Sequence, residues 1–422
     1  MRIAREHLLL ALFVLPLSLY LYAYSRTPLL PRIDPPYYAG QLIWIAKYGT
    51  LRHPDPPLTF YLLLPFYWLT GDCIAAVKVG TSFLISLAYI PAYLFIKEVE
   101  GDEISAAIGA LSFSFSEYIV RMVTDFIKNG VGVIWVFSWL LFAYKYHKSS
   151  RKIYLIGAIL STVLAMFTHI LDFGFIIALS LLNMLIRRLD RKSIYLASIS
   201  VILLFVAFLQ PWIIGGDVFK GIAFAEEVAE GETKVRPYRL VDFLPYSVSI
   251  FLILTWFLGG NSLYLALGIL ALLMNIPLYG GEWLMRFVNM TCIPLAVAVG
   301  HGISKLGKKG LLISLLLVTM IGSSGFEMAT SSRSTIDLQT YNEMKNILTT
   351  LDGKFFIPDV RLRYWAETIS LDVTSNPREA DLILECTLPG SRSARAIPFI
   401  PPNVKPVIEG GSCRAFRIKA KP

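Results

Sequence analysis

The chain of 422 residues is strongly apolar: 55% of its residues are hydrophobic and only 16% are charged, and its mean hydropathy is +0.60. This composition excludes an ordinary soluble multidomain protein. The formal net charge of +9 does not indicate a nucleic-acid partner, because most basic residues lie at the ends of apolar runs, where membrane topology explains them. We therefore predict a polytopic α-helical membrane protein.

Apolar runs predict about eleven transmembrane helices, since each run approaches the ~20 residues that span the bilayer. They lie at 8–25, 74–97, 104–117, 130–146, 153–170, 174–189, 193–214, 241–258, 262–279, 287–303 and 310–326. Basic connections such as 145–152 and 187–192 place the N-terminus in the cytoplasm of a cell-membrane protein. The outer face then carries the carboxy-terminal segment and the loops 26–73, 118–129, 215–240 and 280–286.

The first external loop is predicted to contain two helices that lie in the membrane interface. Residues 37–48 place Gln41 and Lys47 among apolar side chains, a pattern that is typical of an amphipathic helix. Residues 57–70 are rich in Tyr, Phe and Trp, contain Pro65 and are too short to cross the bilayer.

The composition changes after Gly325, which predicts a transmembrane domain over 1–327 and an external soluble domain over 328–422. The second segment carries thirteen Lys or Arg residues against ten Asp or Glu residues, and it has no run long enough to span. Helical spacing and short apolar strands within it predict a small α/β fold.

The four cysteines form no close pair such as Cys-x-x-Cys, so a structural zinc site is not indicated. Cys386 and Cys413 both fall in the predicted external domain. An external compartment permits a disulfide between them, although the sequence does not fix the pairing.

Asp34 is the first candidate for chemistry, because it follows the first helix closely and stands near the predicted membrane surface. Two prolines after it restrict the backbone. A partly desolvated carboxylate there can accept a proton from an acceptor hydroxyl. The spacing equally suits a helix cap or a turn, and it leaves both interpretations open.

Four cations at the outer ends of predicted spans are candidates for binding a phosphate, because guanidinium and ammonium groups stabilise growing negative charge. They are Arg286, Lys128, Arg121 and Arg32. The alternative for each is a snorkelling side chain at the interface.

A further group of polar and aromatic residues on the outer face supplies candidates for substrate binding. They are Tyr37, Tyr38, His53, Asp55, Asp125, Glu282 and His169. His169 and Asp172 suit a metal site with Asp125 or Glu282, or more simply the end of a helix. Because the second external loop offers a single carboxylate, we predict no metal or other cofactor, with a divalent metal near Asp125 left open.

Several motifs in the first 130 residues resemble a known family. They are the acidic Asp34 after the first helix, Pro56-Pro57-Leu58 before an aromatic helix, Gly71-Asp72 before the second span, and Met122 to Asp125 before the fourth span. Glu282 and Arg286 add an acidic and basic pair before a late span. Together these features resemble membrane glycosyltransferases of the GT-C superfamily, and most nearly the protein O-mannosyltransferases and lipid A aminoarabinose transferases.

The resemblance implies transfer of a sugar from a dolichyl- or undecaprenyl-phosphate carrier to a hydroxyl on a protein, lipid or glycan at the outer face. It implies an inverting reaction with Asp34 as general base. Two departures matter. Asp55 replaces the Lys that precedes Pro-Pro-Leu in the aminoarabinose enzymes, and the chain lacks the Trp-Trp-Asp-Tyr-Gly motif of oligosaccharyltransferases, which argues against transfer of a whole oligosaccharide to Asn.

Two other functions fit a polytopic chain: a transporter or flippase for polyprenyl-linked lipids, and an inactive scaffold with the same fold. Transporters place ionisable residues near the bilayer midplane. The middles of the predicted spans are almost free of charge here, and this distribution favours chemistry at the outer surface.

Overall fold

The computed structural model describes residues 2–209, 243–258, 260–276, 281–387 and 405–418, without the side chains of 2–12, 281–282, 307–311 and 314–315. The chain divides into two compact units. The first contains Met1–Tyr22, His53–Thr59 and Thr81–Ser331, and the second contains Ala23–Arg52, Phe60–Gly80 and Ser332–Pro422. The second unit therefore combines the carboxy-terminal segment with most of the first external loop. The predicted loop 215–240 lies outside the described residues.

Helices make up nearly all of the described chain before residue 332. The first eight are α1 (Arg2–Ser25), α2 (Asp34–Tyr48), α3 (Leu58–Thr70), α4 (Cys73–Ser86), α5 (Tyr89–Glu100), α6 (Glu103–Phe115), α7 (Glu117–Thr124) and α8 (Ile127–Ser149). They are followed by α9 (Lys152–Thr168), α10 (Ile170–Ile186), α11 (Arg191–Leu209), α12 (Leu244–Phe257), α13 (Ser262–Met274), α14 (Gly281–Asn289) and α15 (Cys292–Ser331). The two helices predicted in the first loop are present as α2 and α3.

By length and composition, four helical segments of the described residues can cross a membrane, or five if the bent pair α6 and α7 forms one span. The other apolar helices are shorter, so the described part of the chain does not support the predicted count of eleven. One reason is visible at 153–189, where the two predicted spans are present as the short helices α9 and α10. Each of these helices has 17 residues.

The predicted outer loop 118–129 is mostly helical. Ser116 caps the start of α7 by accepting a hydrogen bond from the backbone N–H of Ile119 at 3.4 Å, and the axis bends by 49° between α6 and α7. α8 then begins at Ile127. The predicted loop 280–286 is likewise helical from Gly281 onward. Short polar stretches between apolar runs were mistaken for loops because caps and bends interrupt a helix without ending it.

The last helix of the first unit, α15, bends sharply. Gly300 and Gly325 both pack against α6, where a Cβ at Gly300 would lie 3.2 Å from the oxygen of Ser105 and one at Gly325 would overlap the oxygen of Phe115. In a straight helix these glycines would be ~37 Å apart, but Ser105 and Phe115 are only ~15 Å apart along α6. The helix therefore bends between Gly300 and Gly325, and the two separate helices predicted at 287–303 and 310–326 are one continuous helix.

The carboxy-terminal part of the second unit is a small α/β fold, as the sequence predicts. It contains α16 (Leu338–Thr350), α17 (Val360–Glu367), a 3₁₀ turn at Pro377–Glu379 and strands β1 (Phe355–Phe356), β2 (Val373–Thr374), β3 (Leu382–Cys386), β4 (Ile408–Glu409) and β5 (Cys413–Arg417). The strand order is β2-β1-β3-β5-β4. β1 pairs in parallel with β2 and β3, whereas β5 pairs antiparallel with β3 and β4.

A disulfide joins the two cysteines of this domain. Cys386 and Cys413 are directly opposite each other in the antiparallel pairing of β3 and β5, and their sulfur atoms are bonded. The turn before β5 is also held by Glu343, which accepts hydrogen bonds from the backbone N–H groups of Ser412 at 2.7 Å and Cys413 at 3.0 Å. The hydrogen bond from Gln339 and these two N–H groups hold the pKa of Glu343 below its ordinary value.

Replacing both bonded cysteines with serine is expected to destabilise the second unit by about 3–4 kcal/mol, the loop-closure effect for a separation of this size. The separation is 27 residues. Thermal unfolding of the purified full-length chain, with and without a reductant, measures the effect. Replacing the buried free Cys73 and Cys292 with alanine is the control. An equal loss of stability in that control, or none in the first variant, would contradict the prediction.

Candidate functional site

The first unit contains a buried ion pair between Lys128 and Asp55. Asp55 lies in the proline-rich segment before α3, and Lys128 is the second residue of α8. Only 6% of Asp55 and 8% of Lys128 is exposed. Two charges leave water at a large desolvation cost, which their mutual attraction offsets only when they stay paired.

This ion pair changes the interpretation of both residues. The sequence predicts Lys128 as a cation at the outer end of a span, and Asp55 as a departure from the Lys that precedes Pro-Pro-Leu in the aminoarabinose enzymes. In the structure, the Lys128 ammonium lies against the side chain that occupies that position, 73 residues earlier in the chain. A cation is therefore present beside Pro56 and Pro57, although a different segment supplies it.

Arg286 lies beside the junction between α7 and α8. Its guanidinium carbon is 5.2 Å from the ring centroid of Phe126 and 5.8 Å from that of Trp283. The flat guanidinium is favoured over aromatic faces. Because Phe126 directly precedes α8, Arg286 and Lys128 both border this junction. The predicted partner Glu282 has a side chain outside the described residues.

Arg121 and Asp125 belong to the same helix end. Arg121 is in the last turn of α7, and its carbonyl oxygen accepts the backbone N–H of Asp125 at 2.9 Å. Both side chains are half-buried. Together with Lys128 and Arg286, they surround the short break between α7 and α8, so four candidates from the sequence are brought into one region of the first unit.

His169 has a structural role that the sequence left as one alternative. Its Nδ1 accepts the backbone N–H of Leu171 at 3.2 Å and thereby caps α10. The same nitrogen lies 3.5 Å from Oδ2 of Asp172, which is fully buried and packs against Gly132 of α8. His53, the remaining candidate in this unit, is half-buried.

Asp34 lies in the second unit, where it is the first residue of α2. The cap position is Ile33, which makes no side-chain capping hydrogen bond, so Asp34 is not the N-cap residue of this helix. The side chain is half-buried, and the following Pro35 and Pro36 are buried. A carboxylate at this end of a helix is stabilised by the helix dipole.

Arg32 fixes the chain just before Asp34. It has a left-handed backbone with φ of 59°, a conformation that costs a non-glycine residue roughly 1–2 kcal/mol. Its N–H donates to the carbonyl oxygen of Arg333 at 2.8 Å, and it forms a bridge with Ser334. The segment after α15 therefore holds the turn that leads into Asp34.

Tyr37 and Tyr38 form an aromatic cluster in the second unit. The ring centroid of Tyr37 is 5.1 Å from that of Tyr364 and 5.8 Å from that of Phe60, and Tyr38 stacks on Phe60 at 5.0 Å. Tyr38 is only 2% exposed. This packing makes Tyr38 a core residue, while the half-buried Tyr37 receives a hydrogen bond from Gln41 at 2.9 Å.

Arg52, which is not among the residues predicted from the sequence, organises the chain after α2. Its guanidinium lies 3.5 Å from Glu367 of α17 and over the ring of Trp44 at 4.9 Å, and its Nη2 donates to the carbonyl oxygen of Val373. Burial lowers the pKa of Arg52, and the Glu367 charge opposes that shift. A local sequence pattern does not predict an ion pair, such as that of Arg52 with Glu367, between residues more than 300 positions apart.

The fold was compared with solved structures. The archaeal oligosaccharyltransferase AglB from Archaeoglobus fulgidus, in complex with an inhibitory peptide and a dolichol-phosphate, has a TM-score of 0.60 and 13% identity, over 89% of this chain and 65% of AglB. ArnT from Cupriavidus metallidurans bound to undecaprenyl phosphate has a TM-score of 0.57 and 12% identity, over 96% of this chain and 97% of ArnT. The chain thus spans less than two thirds of AglB and nearly all of ArnT.

A second AglB structure, in complex with Zn and sulfate, has a TM-score of 0.58 and 14% identity, over 88% of this chain and 63% of that one. Among the described residues here, no three His, Cys, Asp or Glu side chains are grouped to hold a metal ion. His169 and Asp172 form only a pair.

No protein-family model and no curated protein matches the chain. The structural matches nevertheless extend over most of its length, and both proteins are GT-C membrane glycosyltransferases. The chain thus has a GT-C-like fold, and its described residues include four helical segments long and apolar enough to cross a membrane, which confirms at the level of the fold the resemblance seen in its sequence.

Proposed function

We propose that this protein transfers a single sugar from a polyprenyl-phosphate carrier to a hydroxyl group at the outer face of the membrane. The observation that carries the proposal is the match to ArnT over 96% of this chain and 97% of that one, since ArnT was solved with undecaprenyl phosphate. The AglB match with its bound dolichol-phosphate supports the same class of donor.

In this reaction the acceptor oxygen attacks C1 of the sugar while the bond between C1 and the phosphate oxygen breaks. The electron pair of that bond passes to the phosphate, and the configuration at C1 inverts. Asp34 takes the proton of the acceptor hydroxyl. The half-buried carboxylate at the start of α2, which is not used as the helix cap, supports this role.

The departing polyprenyl phosphate gains negative charge, so a nearby cation lowers the barrier. We assign this role to Lys128 and Arg286, which both border the junction between α7 and α8. Asp55 neutralises Lys128 while the phosphate is absent. Arg121 is the next cation along this surface, and Arg32 is assigned to the turn that positions Asp34.

The acceptor class follows from two features. The chain lacks the oligosaccharyltransferase motif, and it matches 97% of ArnT against 65% of AglB. We therefore favour transfer of one sugar to a hydroxyl of a protein, lipid or glycan over transfer of an oligosaccharide to Asn. The outer-face orientation follows from the distribution of basic residues in the predicted connections.

Purified protein in liposomes that contain dolichyl-phosphate-mannose or a pentose-linked carrier, each with a radiolabelled sugar, tests the proposal. We expect sugar release to an added hydroxyl acceptor with one of the two donors and free polyprenyl phosphate as the second product. Binding of both carriers without release of sugar from either would favour a scaffold. Movement of the intact labelled carrier between leaflets would favour a flippase.

A further inference from the structure

A polar cavity of about 280 Å³ lies at the end of the first unit that is remote from Lys128. It is bordered by the last turns of α8 and α10 and the first turn of α13, through His147, Lys148, Arg187 and Ser262. Lys128 and His147 are 19 residues apart on α8, which corresponds to ~29 Å along its axis. This cavity is therefore separate from the candidate active site.

The cavity is bordered by positive charge. Lys148 and Arg187 supply two cations, with side-chain exposures of 60% and 34%. Lys148 lies 3.1 Å from Glu98, and Nε of Arg187 donates to Asp190 at 2.7 Å. Arg187 also reaches Oγ of Ser262 with Nη1 at 3.4 Å, so its guanidinium extends to the wall formed by α13.

The start of α13 adds a second source of positive potential. This helix has 13 residues, and Asn261 caps it by accepting the N–H of Leu263 at 2.9 Å. Both residues line the cavity. The first N–H groups of a helix and its dipole favour an anion at that end.

The hydrogen bonding of His147 is an independent observation that indicates which kind of ligand the cavity binds. Oγ of Ser262 donates to Oδ1 of Asn183 at 3.0 Å, so the Asn183 amide nitrogen faces Nε2 of His147 at 3.2 Å. Nε2 is then an acceptor, and the imidazole proton lies on Nδ1.

The resulting Nδ1–H group is a buried donor. The His147 side chain is only 7% exposed, and Nδ1 has no hydrogen-bond partner among the described residues. Its nearest carboxylate oxygen, from Asp190, is 3.9 Å away, which is beyond hydrogen-bonding distance. A buried donor without a hydrogen-bond acceptor costs free energy. His147 lines the same cavity as two cationic side chains and the start of α13.

We propose that this cavity binds a phosphate group. The phosphate oxygens accept hydrogen bonds from His147 Nδ1–H and Arg187, and Lys148 adds a charge at the rim. The source is either the headgroup of an anionic phospholipid or a soluble phosphate compound, because both present the same acceptor oxygens. In the predicted topology the cavity faces the cytoplasm, which places a lipid headgroup or a cytoplasmic phosphate within reach.

Histidine-selective NMR of the full-length protein in nanodiscs tests the proposal. The chain has five histidines, so the His147 ring signal can be assigned with His147→Gln. One arm adds inorganic phosphate to phosphatidylcholine nanodiscs, and the other incorporates phosphatidic acid without free phosphate. A shift of the His147 signal in the second arm alone identifies a lipid headgroup, and a shift with inorganic phosphate identifies a phosphate site open to soluble ligands.

Two variants and one control decide whether the response belongs to the cavity. We expect Arg187→Gln and the more exposed Lys148→Gln each to weaken binding about tenfold, the loss of one charge-assisted hydrogen bond. Arg151→Gln removes an exposed cation of the neighbouring turn that does not line the cavity, and it should leave binding unchanged. No movement of the His147 signal in either arm, or equal weakening by Arg151→Gln, would overturn the proposal.

Discussion

Replacing Asp34 with asparagine is expected to lower the rate of sugar transfer by roughly 10²–10⁴-fold, the usual contribution of a positioned general base. Asparagine has nearly the same shape as aspartate but cannot accept the acceptor proton. The carrier should still bind, because the proposed phosphate contacts come from Lys128 and Arg286. The measurement is single-turnover transfer with saturating carrier, together with a separate carrier-binding assay.

The structure allows the effect on chemistry to be separated from an effect on folding. Asp34 is the first residue of α2. The N-cap position before it is occupied by Ile33. Loss of its charge removes the interaction with the helix dipole, roughly 0.3–1 kcal/mol, while asparagine keeps the shape of the side chain and one acceptor oxygen. Thermal unfolding of the variant should stay close to that of the wild-type protein.

Asp72→Asn is the matched control. Asp72 also lies at the start of a helix in the second unit, where Oδ1 accepts the N–H of Ala75 at 2.7 Å, and it is exposed. Asparagine caps helices as well as aspartate does, so neither stability nor transfer should change. If Asp34→Asn transferred sugar at the wild-type rate, or if both variants lost activity equally, Asp34 would not be the base.

The sequence predicted the parts of this fold that depend on local patterns. The two helices α2 and α3 of the first predicted loop and the change to an α/β domain follow from hydropathy and length, whereas the two helices predicted at 287–303 and 310–326 are one bent helix, α15. Strands β2 and β4 contain two residues each, too few for any alternation to be recognised. The cap at Ser116 also escaped prediction, because a single polar residue between apolar runs has many possible roles.

The candidate site likewise combines features that local sequence patterns predict with features that depend on tertiary packing. Four of the predicted candidates, Arg121, Asp125, Lys128 and Arg286, lie at one helix junction, because each is next to an apolar run at the same predicted face. The pairing of Lys128 with Asp55, and that of Arg52 with Glu367, depend on tertiary packing across 73 and more than 300 residues. A sequence pattern does not contain that information.

The buried pair of Lys128 and Asp55 leads to the second large effect. Lys128→Met should destabilise the first unit by about 3–5 kcal/mol, because the buried Asp55 carboxylate loses the Lys128 ammonium that offsets its desolvation. The double variant Asp55→Leu with Lys128→Met should recover most of that loss, since apolar residues of similar volume avoid the desolvation cost. Chemical denaturation of the wild-type protein, Asp55→Leu, Lys128→Met and the double variant in the same detergent measures this cycle.

Activity separates a structural pair from a phosphate contact. The stable double variant should transfer sugar about 10²-fold more slowly, because the leaving phosphate has lost a cation that stabilises its growing charge. Removing Lys97 and Glu103, a pair at 2.8 Å that is about one third exposed, is the control. It should change stability by less than ~1 kcal/mol and leave transfer unchanged.

Exchanging the two residues, as Asp55→Lys with Lys128→Asp, tests whether the position of the cation or the identity of the residue matters. The exchange keeps one buried ammonium and one buried carboxylate in contact, so the stability should remain near that of the wild-type protein. It also places Lys directly before Pro56 and Pro57, as in the aminoarabinose enzymes. We expect transfer well above that of the apolar double variant. A folded exchange variant that is as inactive as the double variant would show that the ammonium must come from α8, and unchanged transfer in the double variant would exclude a phosphate contact by Lys128.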